Sequence, residues 1–357
     1  MRARPSCCQE IIGTSAQIQV IKRCIDRVAL SEAAVLLTGE SGTGKELFAR
    51  RVHSMSKKCH GPFIPVNCAA IPDNLIESEL FGFEKGAFTG AGSRQDGLLV
   101  QANCGTFFLD EIGDLSPSAQ AKLLRVLEQK EVRPLGSRGA QTIDFRLVSA
   151  TNRNLEELAH QGRFRQDLLF RINVVHVHIP PLRARKQDIG LIASSFLREL
   201  STQYSDNVVS LTPGAQRRLE ALPWRGNIRE LRNILERAFL LCDSEDITER
   251  DIARVYELAS PDFVRSSTLT PTSFQVAPKQ QSRYHVSHTS YRYSKVNSSD
   301  RSEPEQFREA LDGTHWNKSE AAKLLRCSRM TVYRKIVQYA LSPSAAVPDP
   351  YSTPELV

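Results

Sequence analysis

Ala33-Ala34-Val35-Leu36-Leu37-Thr38-Gly39-Glu40-Ser41-Gly42-Thr43-Gly44-Lys45-Glu46 decides how this chain folds. Its first six residues are an apolar run with the length of a buried strand. The next seven fit the spacing GxxxxGK, and from Glu46 to His53 the pattern reads as a helix. A glycine-rich turn between strand and helix lets successive backbone N–H groups face inward and cradle phosphate oxygens. The helix N-terminus adds positive potential, and the lysine bridges the terminal phosphates. Gly39, Glu40, Ser41, Gly42, Thr43, Gly44, Lys45 and Glu46 are therefore candidate nucleotide-binding residues. The spacing alone is weak, and a ligand-free glycine turn is the competing reading. Placement after a strand and before a helix favours the phosphate site. Glu46 departs from the common pattern, in which a magnesium-binding Ser or Thr follows the lysine.

Outward from this segment, strands alternate with helices. Ile18, Ile21, Ile25 and Val28 mark an amphipathic helix over residues 15–30. Apolar strands are expected at Phe63–Val66, Thr106–Leu109, Phe145–Ala150 and Val174–Ile179, with helical stretches between them. One of these begins at Ser116-Pro117, a cap followed by proline at the first helical position. Such alternation implies an α/β fold with a mostly parallel sheet covered on both faces. The strand Gly105-Thr106-Phe107-Phe108-Leu109-Asp110-Glu111 ends in two acids. Carboxylates at a buried strand end need a cation to offset desolvation. Asp110 is the candidate magnesium ligand, directly or through water, and Glu111 the candidate to polarise an attacking water.

After Pro180-Pro181 strand signals stop, and residues 187–256 read as helices only. From Ser260 to Ser302, Ser and Thr become dense, prolines scatter and apolar periodicity disappears, as in a flexible linker. The expected organisation is a tail at 1–10, an α/β subdomain carrying the phosphate loop at 11–183 and a small helical subdomain at 184–258. A linker at 259–302, a further helical domain at 303–341 and a disordered tail at 342–357 complete it.

Composition agrees with a soluble cytoplasmic protein. Hydrophobic residues make up 41% and charged residues 24% of 357, and the net charge of +7 permits nucleic-acid contact without proving it. The eight cysteines form no CxxC pair and have no zinc-finger spacing, so reduced structural thiols are expected. No run approaches the length of a membrane span.

Gly86-Ala87-Phe88-Thr89-Gly90-Ala91 carries a specific resemblance. A hexapeptide this rich in small residues reads physically as a surface loop. Together with the phosphate loop and acid pair, it resembles the AAA+ activators of sigma-54 RNA polymerase, the bacterial enhancer-binding proteins. The resemblance runs from about Ile11 to Leu258 and again over the C-terminal helices. It implies a P-loop ATPase that binds ATP and Mg2+, assembles into a homo-oligomeric ring, expected to be a hexamer, and remodels sigma-54 RNA polymerase from closed to open complex. It also implies that the hexapeptide, with Phe88 and Thr89 at its tip, contacts the sigma factor. The family's phosphate loop commonly reads GESGTGKE, which accounts for Glu46. Asn67 is similar to a switch residue that pairs with the catalytic glutamate, here Glu111. Asn152 is similar to a sensor near the γ-phosphate. Arg165 and Arg171 resemble arginine fingers that reach a neighbour's site, and Arg229 resembles the sensor of the lid. Arg225 stands where the family usually has proline. The resemblance leaves open whether control comes from a segment absent here or from a separate protein.

The C-terminal residues 303–340 suggest three helices. Ser319 would cap one of them, a short turn follows around Cys327, and Ser328–Ile336 would form the recognition helix. This resembles a Fis-like helix-turn-helix. Ser328, Arg329, Thr331, Arg334 and Lys335 are the candidate contacts to double-stranded DNA upstream of a promoter. A bacterial, nucleoid-associated location follows from that resemblance.

Overall fold

The computed structural model describes residues 10–88, 91–204, 209–241, 246–259 and 303–326, together with residues 332, 335, 336, 339 and 341. They fall into two compact units: residues 1–196 with 216–233, and residues 197–215 with 234–357.

The first unit is built on a five-stranded sheet. Its strands are β1 (Val35–Thr38), β2 (Phe63–Asn67), β3 (Thr106–Asp110), β4 (Arg146–Thr151) and β5 (Val175–His178). They lie in the order β2-β3-β4-β1-β5, and every pairing is parallel. Side chains alternate across a strand, and here both faces are buried. Leu36, Phe107, Leu109 and Leu147 point into one core with Leu123, Leu127, Leu168 and Ile172. Val35, Leu37, Phe108, Val148 and Ala150 point into the other, against Ile18, Ile25, Phe48 and Val52. The second core includes helices α1 (Ala16–Ala29) and α2 (Lys45–Ser54), which are tied by a two-pronged ion pair. Arg51 Nε and Nη2 meet the Asp26 carboxylate at 2.7 and 2.8 Å.

Both ends of α1 are held from far away in the chain. Ser15 precedes the helix, but the N-terminal N–H groups of Thr14 and Ser15 donate to Oδ1 of buried Asp188 at 2.7 and 2.8 Å. At the other end buried Arg146 donates from Nη1 to Ala29 O at 2.6 Å and from Nη2 to Val28 O at 2.9 Å. Burial lowers the pKa of this guanidinium from its ordinary value. The negative end of the helix dipole offsets part of that desolvation. Arg146→Met should lower stability by about 1–3 kcal/mol, because a buried charged hydrogen bond is removed. Thermal unfolding checks this, and an unchanged midpoint would mean that the contact contributes nothing.

Where the acid pair, the phosphate loop and the expected strands were read from sequence, the backbone follows within a residue or two. Ser116 caps the helix Pro117–Gln129, its Oγ accepting from Ala119 N–H at 3.4 Å. Residues 187–256 are not purely helical. Ser210–Leu211 and Asp246–Ile247 pair as a two-stranded parallel ribbon, with Thr212 N–H continuing the pattern to Ile247 O at 3.1 Å. Two-residue strands carry no readable periodicity, so the helical pattern around them dominates the sequence signal.

In the second unit, helices Glu303–Gly313 and Lys318–Leu324 enclose a small core of Phe307, Leu311, Ala321, Ala322 and Val332. The second of these starts at Lys318, before the expected cap at Ser319. Asn317 does the capping: its Oδ1 accepts from Glu320 N–H at 3.3 Å. Among the described residues no helix is long and apolar enough to cross a membrane.

Candidate functional site

The phosphate loop lies at the C-terminal edge of the parallel sheet, where strands deliver ligands in open α/β folds. Gly44 enters α2 with φ 93°, a left-handed conformation that suits glycine. Gly42, at φ 78°, packs so closely that a Cβ there would lie 2.4 Å from Gly226 O. The loop thus touches a turn almost two hundred residues away in sequence.

Lys45 is buried, and its ammonium donates to Gly39 O at 3.0 Å and Glu40 O at 3.5 Å. It also meets Glu111 Oε1 at 3.4 Å. The other oxygen of Glu111 accepts the backbone N–H of Asn152 at 2.9 Å. Glu111 itself has φ 53°, a strained value for a residue with a side chain, so its position is fixed by surroundings that outweigh the backbone cost. Asp110, one residue earlier, accepts the Glu111 N–H at 3.1 Å. Burial and then the Glu111 charge push its carboxyl above the usual carboxylate range, while Lys45 pulls the other way. A cation beside Asp110 would relieve that cost. The donor chemistry, a half-buried carboxylate beside a phosphate loop, fits magnesium.

Several expected residues converge here. Residues 39–45, Asp110, Glu111 and Asn152 meet at the strand ends. Arg229 Nη1 donates to Ser41 Oγ at 3.0 Å, which brings the expected sensor to the loop. Other side chains turn elsewhere. Glu46 Oε1 takes both Nε and Nη2 of Arg50, at 2.9 and 2.6 Å, on the helix surface. Asn67 lies in register beside Asp110, but its Oδ1 accepts from Ala69 N–H at 3.0 Å and so caps the turn Cys68–Ala70 instead of pairing with Glu111. Exposed Arg165 pairs through Nε and Nη2 with Asp167 at 3.0 and 2.6 Å. Arg171 donates to Leu127 O at 3.0 Å. Near both arginines Phe170 is 71% exposed.

Sequence reasoning missed Arg183, Arg185 and Asn227. Arg183 spans the Glu40 carboxylate with bonds of 2.7 and 2.5 Å. That pair, chiefly, holds the Glu40 carboxyl down at about 2, so it is ionised throughout the neutral range. Buried Arg185 donates to Thr43 O at 3.0 Å. The two arginines between Leu182 and Lys186 carry no hydrophobic period, and the charge density of Arg183, Arg185 and Lys186 after Pro180-Pro181 is the available signal. The turn at Trp224–Asn227 closes without proline: Asn227 N–H reaches Trp224 O at 3.1 Å, with Arg225 between.

The hexapeptide 86–91 closes on itself, Gly86 N–H donating to Ala91 O at 2.9 Å and Ala91 N–H to Phe88 O at 3.1 Å. Its stem is the antiparallel pair Gly82–Phe83 with Gln95–Asp96. The Phe88 ring, 43% exposed, packs edge-on to Phe83 at 4.9 Å. A second hairpin, Glu131–Val132 with Gln141–Thr142, braces the stem, because Glu84 N–H donates to Leu135 O at 3.0 Å. Thr89 and Gly90 lie outside the described residues, as do Ser328, Arg329, Thr331 and Arg334. Lys335 is described, and its ammonium lies 2.8 Å from Glu303 Oε1 and 2.9 Å from Tyr339 Oη.

Comparison with known proteins agrees with this fold. The family model described as "Sigma-54 interaction domain" matches residues 11–178, "AAA+ ATPase lid domain" matches 183–267, and "Bacterial regulatory protein, Fis family" matches 301–339. Regulatory protein AtoC of Escherichia coli (strain K12) is 38% identical over 334 residues, covering 94% of this chain and 68% of AtoC. Transcriptional regulatory protein ZraR of Salmonella typhimurium is 41% identical over 326 residues, covering 91% of this chain and 68% of ZraR. Among solved structures, NtrX from Brucella abortus in complex with ATP has a TM-score of 0.64 at 30% identity. That alignment covers 93% of this chain and 70% of NtrX. The chain belongs to the sigma-54-dependent transcriptional regulators, which join an AAA+ P-loop domain and its lid to a Fis-type helix-turn-helix for DNA.

Proposed function

We propose that this chain hydrolyses ATP in a ring of its own copies, a hexamer, to convert sigma-54 RNA polymerase from closed to open complex while bound to DNA upstream of the promoter. The observation that supports it best is the convergence of Lys45, Asp110, Glu111 and Arg229 on one phosphate loop, in a chain whose sequence keeps the hexapeptide Gly86–Ala91 whole. On this reading residues 39–45 hold the phosphates, and Lys45 leaves Glu111 for them. Glu111, kept in place by Asn152 N–H, is then free to take the proton of the attacking water. Asp110 would hold Mg2+, which supplies positive charge against the phosphate oxygens. Asn152 and Arg229 would sense the nucleotide, and Asn67 would exchange its present bond to Ala69 N–H for one to Glu111. Arg165 and Arg171 would act on a neighbour's nucleotide, where an arginine neutralises charge developing on the transferred group.

That last assignment has a direct test. Arg171→Ala and Glu111→Ala subunits, each inactive alone, should regain hydrolysis when mixed. Some interfaces then join an intact Arg171 to an intact Glu111. No recovery over the whole range of mixing ratios would count against action between subunits.

DNA contact is assigned to residues 303–341, through Ser328, Arg329, Thr331, Arg334 and Lys335. Lys335 would trade Glu303 for a phosphate. A chain ending at Ser260 should keep nucleotide hydrolysis and lose specific DNA affinity. Gel-shift titration against the full chain measures this, and equal affinity of the two would refute the assignment.

A further inference from the structure

The backbone carbonyls of three successive loop residues are each held from outside the loop. Ser41 O accepts from Asn227 Nδ2 at 3.0 Å, Gly42 O from Ile228 N–H at 2.9 Å, and Thr43 O from Arg185 Nη2 at 3.0 Å. A trans peptide sets its carbonyl and the following N–H on opposite sides. Drawing the carbonyls of 41, 42 and 43 outward therefore turns the N–H groups of Gly42 and Gly44 the other way, toward the phosphate position, while Thr43 N–H closes the turn on Glu40 O at 3.4 Å.

Asn227 is the centre of this grip. It is buried and sits at φ 54°, a conformation that asparagine tolerates better than most residues. Its Oδ1 accepts from Leu182 N–H at 2.8 Å, and its Nδ2 reaches both Ser41 O and, at 3.1 Å, Glu40 Oε2. Arg183 closes the other side of the same carboxylate. Alone, an ion pair with side chains 47% and 41% exposed would contribute little. Here the carboxylate is shared with a buried amide that also holds the loop backbone, so the pair orients more than itself.

We propose that Arg183 and Asn227, acting through Glu40, are positioning residues that shape the phosphate loop for nucleotide and couple that shape to the turn at 224–227. The inference rests on the reading of residues 39–45 as the ATP site. A purely electrostatic role makes a different forecast. Without Arg183, the bare Glu40 charge would repel a triphosphate, and neutralising it should cure the defect.

The test uses the full chain, with a fluorescent ATP analogue for affinity and phosphate release for KM and kcat. Arg183→Ala should weaken binding and raise KM about five- to tenfold, with kcat at saturation within about twofold. Arg183→Lys, which keeps charge and one donor, should recover part of the affinity. Asn227→Gly, which keeps the backbone conformation, should weaken binding by a similar factor. The double variant Glu40→Gln/Arg183→Ala should stay weakened. Wild-type affinity in Arg183→Ala, a defect confined to kcat, or full recovery in the double variant would each overturn the proposal. If Arg183→Ala fails to fold, Arg183→Lys and Asn227→Gly carry the same comparison. Lys45→Ala separates the two levels: full affinity in that variant would remove the ATP site itself, whereas its loss beside an unaffected Arg183→Ala would remove only the positioning role.

Discussion

Glu111→Ala should leave ATP affinity near the wild-type value and cut turnover by about two to four orders of magnitude, the usual contribution of a positioned general base. Binding should survive because the contacts that hold phosphate come from residues 39–45, and Lys45 keeps its bonds to the carbonyls of Gly39 and Glu40. Loss of the Glu111 carboxylate even frees the ammonium from a partner at 3.4 Å. Turnover should fall because, among the described residues, Glu111 is the carboxylate held between Asn152 N–H and the Lys45 ammonium. Asp110 points its Oδ1 at the Glu111 N–H and is the expected metal ligand. Glu111→Gln is the sharper variant. It preserves an acceptor for Asn152 N–H and the local shape, so a similar loss would isolate proton transfer from geometry. Affinity from a fluorescent ATP analogue and phosphate release from the same preparation measure both quantities. Turnover within about tenfold of wild type would reassign the base.

The second large effect concerns the 86–91 loop. Thr89→Ala should abolish promoter opening while hydrolysis stays within about threefold of wild type. Gly86 and Ala91 close the loop by a backbone bond, Phe83 and Phe88 pack together, and the second hairpin supports the strand before it at Glu84. None of these stem contacts involves the phosphate loop or the acid pair, so a substitution in the hexapeptide is expected to spare the chemical step. An ordinary surface alanine substitution would be nearly neutral in every assay. Selective loss of opening, measured on sigma-54 RNA polymerase beside the ATPase rate, therefore distinguishes a transmitting loop from a passive one. Normal opening would contradict the proposed contact. Phe88→Ala provides a second reading, since it removes the ring that packs on Phe83.

What could be read in advance follows the range over which each interaction acts. The segment 33–46 was legible because strand, turn and helix are contiguous and each has its own period or composition. Asp110 and Glu111 were legible because two acids at the end of an apolar strand conflict with burial unless they serve a charge. Glu40's partners were not, because Arg183 and Asn227 lie 143 and 187 positions away and nothing local distinguishes them from surface residues. The same holds for Asp188 at the start of α1, a carboxylate 174 positions from Thr14. Asn67 shows the opposite difficulty. The family resemblance placed it beside the acids, which the register with Asp110 agrees with, but a turn two residues on claims its side chain. Short-range capping competes with long-range pairing, and sequence spacing alone does not rank them.

Trp224 gives the chain an optical reporter. The sequence has two tryptophans, and Trp224 is fully buried with its indole N–H on Leu219 O at 2.7 Å. It begins the very turn whose next residues, Gly226 and Asn227, touch Gly42, Glu40 and Ser41. Its emission colour and lifetime depend on that dry, hydrogen-bonded setting, so any shift of the turn against the loop would alter them. With Trp316 replaced by phenylalanine, a single native fluorophore would follow the nucleotide cycle in real time, with no dye attached.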